Sequence, residues 1–101
     1  MDRVQFVGSI SNGISVNDQY FDQAMIAYSL IGDINDISTS AIPHLNGSIS
    51  FKFIIGNKDD YEKLMYNVAN SYGSVDMYGS SHNVELVENC ESNLSITIRI
   101  S

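Results

Sequence analysis

The chain has 101 residues, with 12 acidic and 5 basic side chains, a formal net charge of -7, one cysteine and one proline. This length is typical of a single domain, and the 44% hydrophobic and 17% charged shares argue against a disordered chain. One cysteine excludes a disulfide scaffold, no apolar run is long enough to span a membrane, and the acidic charge disfavours nucleic-acid binding. We therefore expect residues 1–101 to form one compact domain.

The first half of the chain alternates between strand and helix patterns. Residues 3–10 alternate apolar and polar side chains, which predicts a strand. Residues 18–31 carry apolar side chains at helical spacing, and Gly32 is the predicted stop of this helix. Residues 36–42 then form a short predicted strand, which Pro43 ends.

The middle of the chain gives the clearest strand and the clearest helix. Residues 48–55 alternate strictly, and their predicted inward positions are Ile49, Phe51, Phe53 and Ile55. Residues 58–72 have helical spacing, with Asn57 as the predicted N-cap and Gly73 after the end. The predicted apolar stripe of this helix is Tyr61, Leu64, Met65, Val68, Ala69 and Tyr72.

The C-terminal part of the chain reads as β structure. Val75 and Met77 begin one predicted strand, and residues 84–87 alternate in the same way. Residues 94–100 alternate apolar and polar side chains and predict the last strand. Residues 89–93 are the predicted hairpin loop before it.

The order of these elements predicts a ferredoxin-like two-layer sandwich in the α+β class, βαββαβ plus an extra C-terminal strand, with two helices on one face of an antiparallel sheet. A faint repeat between residues 17–25 and 57–65 supports the order. In that fold the first strand lies between the third and the last, so Arg3, Lys52 and Arg99 are expected on the outer sheet face. Another small α+β sandwich with the same elements is the alternative.

Acidic side chains dominate two long stretches, since residues 4–51 and 64–98 contain no Lys or Arg. An acidic face of this kind favours docking of a basic protein, and exposed tyrosines are common interface anchors. Tyr20 and Tyr66 lie off the apolar helix stripes, whereas Tyr28, Tyr61 and Tyr72 lie on them and are expected in the core. The candidate partner-binding residues are Asp18, Tyr20, Asp22, Asp33, Asp36, Tyr66, Asp76, Glu85, Glu88 and Glu91. Carboxylates that only solubilise the surface are the alternative explanation.

The residues that most often carry chemistry are few, namely His44, His82 and Cys90. Both histidines lie in predicted turns, where solvated side chains are expected, and no pair has the spacing of metal ligands. Carboxylates beside Cys90 are expected to raise the pKa of its thiol and to disfavour nucleophilic catalysis. We therefore expect no enzymatic activity, no cofactor and no metal.

Small size and acidic charge predict a non-enzymatic inhibitor that binds and blocks a basic protein, such as a nuclease or a nucleic-acid-binding enzyme. Phage anti-defence proteins, including anti-CRISPR proteins, and toxin-immunity proteins are typical of this class. The alternatives are a homo-oligomeric structural or assembly protein, for example a homodimer paired through residues 94–100, and a small ligand-binding domain. The N-terminus lacks the apolar run of a secretory signal, so we expect a cytoplasmic location, with no membrane and no direct nucleic-acid partner.

Overall fold

A computed structural model describes residues 20–77 and 79–101 of the chain. Its elements are helix α1 (Phe21–Ile31), strands β1 (Ile37–Pro43) and β2 (Ile49–Ile55), helix α2 (Lys58–Asn70), and strands β3 (Gly73–Met77), β4 (Ser80–Cys90) and β5 (Ser95–Ile100). The described strands form one antiparallel sheet in the order β1-β2-β5-β4-β3. The predicted α+β class is therefore confirmed, while the predicted strand at residues 3–10 lies outside the described residues.

The strand order of the described sheet differs from the predicted ferredoxin-like order. That order places the first strand between the third and the last, but here β2 pairs directly with β5, with Phe51 opposite Ile98. Helix α2 is followed by three strands, since β3 and β4 form a hairpin before β5. Because β5 pairs with β2 on one side and β4 on the other, residues 95–100 have no free edge for the expected pairing with a second copy.

One face of the sheet carries the core. Side chains alternate between the faces of a strand, and the buried apolar ones of β2 and β5 are Ile49, Phe51, Phe53, Ile55, Ile96, Ile98 and Ile100. The same cluster includes Ala24, Ile26, Ala27, Leu30 and Ile31 of α1 and Tyr61, Leu64 and Val68 of α2. Both helices therefore cover the same face, and the predicted inward positions of β2 are confirmed.

The sequence indicates where α1 ends and where α2 begins. Gly32 follows α1 with a φ of 58°, and its N–H donates to the Tyr28 carbonyl at 3.3 Å. A left-handed φ costs glycine little, which explains why α1 stops there. At the start of α2, the Asn57 side-chain oxygen accepts a hydrogen bond from the Asp60 N–H at 2.9 Å, so the predicted cap is confirmed.

The C-terminal end of α2 differs from the prediction. The helix ends at Asn70, two residues before the predicted end. Tyr72 leads from α2 towards β3 and is 62% exposed, so its predicted place in the core is wrong. Ala69, also on the predicted stripe, is exposed. Helical spacing predicts the face of a residue only within the helix, and Tyr72 lies after Asn70, the last residue of α2.

A bulge in β4 decides which of its side chains face the helices. Leu86 lies opposite Ile98 of β5 and Glu88 lies opposite the neighbouring Thr97, so Val87 between them has no partner on β5. Strict alternation from the inward-facing Leu86 would turn Glu88 towards the core. With the bulge, Glu88 is exposed and Asn89 turns to the helix side, where its side-chain amide donates to the Tyr61 hydroxyl at 3.1 Å.

Two adjacent residues of β2 test this assignment of faces. We expect Phe53→Ala to lower the free energy of unfolding by about 3 to 5 kcal/mol, because it removes a fully buried ring and leaves a cavity. The matched control Ile54→Ala truncates a side chain that is 51% exposed on the other face, and should cost less than about 1 kcal/mol. Urea denaturation measures both values, and a larger loss for Ile54→Ala would contradict the faces.

Candidate functional site

Carboxylates gather at the end of the sheet where β2 and β4 finish and β1 and β5 begin. Helix α2 begins at the same end, because only residues 56 and 57 separate it from β2. We call this group the acidic end, and its members are Asp36, Asp59, Asp60, Glu88 and Glu91. Lys58 lies among them, with its Nζ 3.4 Å from Glu91 Oε1. The acidic end therefore has five carboxylates and one paired ammonium group, while a second ammonium, that of the exposed Lys52, lies on the outer face in the same cross-strand row as Glu88.

The local backbone holds several of these acids in place. The Gly56 N–H donates to the Asp36 carbonyl at 2.8 Å, and a Cβ on Gly56 would contact the Asp36 carboxylate. A glycine at this position thus lets Asp36 lie against the connection between β2 and α2. Asp59 and Asp60 occupy the first turn of α2, where the helix dipole stabilises negative charge.

The structure brings three of the predicted partner-binding residues together at the acidic end, namely Asp36, Glu88 and Glu91. Asp33 lies in the connection between α1 and β1, and its Oδ1 is 3.9 Å from Lys63 Nζ. Both side chains of that pair are highly exposed, so the contact contributes little to stability.

The remaining predicted acids lie apart from this group. Asp76 is exposed on β3 opposite Ser81, near the other end of β4. Glu85 lies on the outer sheet face, where its Oε1 is 3.4 Å from Arg99 Nη1. Asp18 lies outside the described residues. The predicted set is therefore not one surface.

Asp22 is engaged within the chain. Its Oδ2 lies 3.2 Å from Nε2 of His82, whose Nδ1 lies 3.0 Å from the Ser101 carbonyl oxygen. The His82 side chain is only 13% exposed, so the prediction that this histidine is solvated in a turn is wrong. Strand β4 begins at Ser80, earlier than the sequence pattern indicated, and this places His82 within the sheet. Asp22 and His82 thus connect α1 to β4.

The two tyrosines predicted as exposed anchors have different surroundings. Tyr66 is 69% exposed on α2, as predicted. Tyr20 is 9% exposed and belongs to the core cluster, so its predicted exposure is wrong. Because α1 begins at Phe21, helical spacing does not describe the position of Tyr20. The predicted core position of Tyr61 is confirmed, and Tyr28 packs against the core.

The histidines and the cysteine do not form one site. His44 lies between β1 and β2, as predicted, but its Nε2 is 2.6 Å from Oγ of the buried Ser50, so it is not simply solvated. His82 faces the helices, and Cys90 ends β4 at the acidic end. Across residues 20–77 and 79–101, no three His, Cys, Asp or Glu side chains are grouped so that they could hold a metal ion.

The surroundings of Cys90 reverse the expected direction of its pKa. The Ser92 hydroxyl lies 3.2 Å from Cys90 Sγ, and this hydrogen bond is the largest cause of a pKa below the ordinary value for a thiol. A backbone hydrogen bond from Asn93 acts in the same direction, while the charge of Glu88 opposes both. Hydrogen bonds within the turn outweigh an exposed carboxylate, so the expected increase was wrong.

Asp59 and Asp60 were not predicted as site residues, because sequence reasoning assigned them only to the start of a helix. No local pattern shows that this first turn lies beside the end of β4. Two long-range contacts establish it, the Lys58–Glu91 ion pair and the Asn89–Tyr61 hydrogen bond.

Comparison of the chain with models of known protein families, with curated proteins and with solved structures found no match. Within the described residues, no helix is both long enough and apolar enough to cross a membrane. We therefore infer function from the charge and exposure of individual side chains.

The contact between α1 and β4 can be tested by a double-mutant cycle. We expect His82→Ala to lower the free energy of unfolding by about 1 to 2 kcal/mol, since it removes the contacts to Asp22 and Ser101. Asp22→Asn should cost less in the His82→Ala background than alone, because the partner is already absent. Urea denaturation of the two single variants and the double variant measures the coupling. Fully additive losses would show that the two side chains do not interact.

The lowered pKa of Cys90 predicts a reactive thiol. At neutral pH, Ser92→Ala should slow alkylation of Cys90 by iodoacetamide, because the pKa rises and less thiolate is present. At strongly alkaline pH both proteins are fully ionised, and the variant should react slightly faster, since a thiolate of higher pKa is the better nucleophile. Mass spectrometry of timed samples gives both rates, with Ser95→Ala as the control. Equal rates at neutral pH would contradict the role of Ser92.

Proposed function

We propose that the chain is a small, non-enzymatic inhibitor that binds and blocks a basic protein, such as a nuclease or a nucleic-acid-binding enzyme, through the acidic end. The observation that supports this most is the excess of carboxylate there, five groups against the ammonium of Lys58, already paired with Glu91, and that of Lys52 in the same cross-strand row as Glu88. A surface of this charge attracts a basic protein and repels nucleic acid. A cytoplasmic location belongs to the same proposal.

Exposed carboxylates and an exposed tyrosine have different roles in such binding. The acidic end would guide a basic partner to the surface and suppress wrong partners, since rim charges act mainly on association rate and specificity. Tyr66 would supply buried area at low entropy cost. It lies about two helical turns after Asp59, so α2 connects the two features.

The proposed class includes phage anti-defence proteins, such as anti-CRISPR proteins, and toxin-immunity proteins. Support for this class comes from small size, net negative charge and a concentrated acidic surface. A homo-oligomeric protein and a ligand-binding domain are supported less well by the described residues. Strand β5 is paired on both sides, and His44, His82 and Cys90 lie apart.

A pair of charge reversals tests the proposal. A tagged chain is first used to capture partners from lysate of the source cells at low and high salt, and its association with the captured basic protein is then timed. We expect Glu88→Lys, at the acidic end, to slow association on the order of tenfold, with a smaller salt dependence.

The matched control is Asp76→Lys, which makes the same change of charge at an exposed position near the other end of β4. It should change the rate by less than about twofold, because charges beyond a Debye length are screened. Equal effects of the two variants would contradict the acidic end as the binding surface. Recovery of the chain alone would favour self-association over inhibition.

A further inference from the structure

The solvent-facing side of α2 presents a tyrosine beside a carboxylate. Asp59, Glu62, Tyr66 and Ala69 lie at positions i, i+3, i+7 and i+10, which form one stripe on a helix. All four residues are exposed. Ala69 and Asn70, one turn after Tyr66, are both short and exposed, and Tyr66 itself is 69% exposed, so its ring is accessible to a partner.

Glu62 lies one turn before Tyr66, where Cβ atoms on the same helix face are about 5 to 6 Å apart. Aromatic side chains on a helix lean towards its N-terminus, so the Tyr66 ring lies over the turn that carries Glu62. A carboxylate and an open ring face are therefore within reach of a single planar group.

The lysines of α2 do not neutralise Glu62. Lys58 lies one turn before it, but its Nζ is 3.4 Å from Glu91 in the turn between β4 and β5. Lys63 is the next residue, and its Nζ is 3.9 Å from Asp33 before β1. Within the part of the chain that the structure describes, Glu62 forms no ion pair, and its charge is available to a partner.

We propose that Glu62 and Tyr66 bind an arginine side chain of the basic partner, an inference that rests on the proposed function. A guanidinium group is planar and weakly hydrated, so it can donate two hydrogen bonds to the Glu62 carboxylate and stack on the Tyr66 ring. A lysine ammonium is compact and strongly hydrated, and gains less from the ring. The pair therefore selects arginine over lysine, which the charge of the acidic end does not do.

The probes are deca-arginine and deca-lysine peptides, titrated into the intact chain at one salt concentration and followed by calorimetry. We expect deca-arginine to bind about two- to fivefold more tightly, the range that corresponds to one exposed cation–π contact. Tyr66→Leu and Glu62→Gln should each remove this preference, whereas Tyr66→Phe should keep it, because the ring face remains. Tyr72→Leu is the matched control, since Tyr72 is also exposed but lies after the end of α2, outside the stripe that carries Glu62.

Equal affinity for the two peptides would overturn the arginine site, and so would a preference that survives Tyr66→Leu or a lack of binding by either peptide. A different result would contradict the proposed function. If Glu88→Lys leaves association with the captured partner unchanged, the acidic end is not the inhibitory surface, whatever the preference between peptides.

Discussion

The position of the last strand is the constraint on which the rest of the structure depends. Strand β5 lies between β2 and β4, so neither half of the described sheet is complete until the C-terminal residues are in place. The Ile49–Ile100 pair closes a long loop that contains α2 and the β3–β4 hairpin, and this closure costs entropy. Full burial of Ile96, Ile98 and Ile100 offsets that cost, at about 1.5 to 3 kcal/mol for each side chain.

The acidic end follows from this arrangement. Pairing with β5 brings the end of β4 alongside the end of β2, and the short connection after β2 starts α2 beside them. One end of the molecule therefore holds groups that are distant in sequence, namely Asp36, the first turn of α2 and Glu91. The contacts of Lys58 and Tyr61 with β4 fix the helix there. Carboxylates that are distant in the sequence are thus brought to one end by the fold.

Local patterns predicted much of the fold, because alternation in β2 and the Asn57 cap act over a few residues. Strand order was not predictable in this way, since alternation fixes which face is buried but not which strand lies alongside. Tyr20 and Tyr72 were misplaced because both lie just outside a helix, where helical spacing no longer applies. Of the candidate site, Tyr66 and the acids were visible as residue types, but their grouping depends on long-range contacts.

The bulge at Val87 has a consequence for how this chain can vary. Val87 has no partner on β5 and is 48% exposed, so the identity of the residue at this position matters little. A homologue could exchange Val87 for many other residues and keep every face of β4. Loss of Val87 would keep these faces too, because Glu88 would then follow Leu86 directly and still face away from the core, with Asn89 still turned towards Tyr61. Relatives with this architecture should therefore vary at position 87, both in the identity and in the presence of the residue, more than at Leu86 or Asn89.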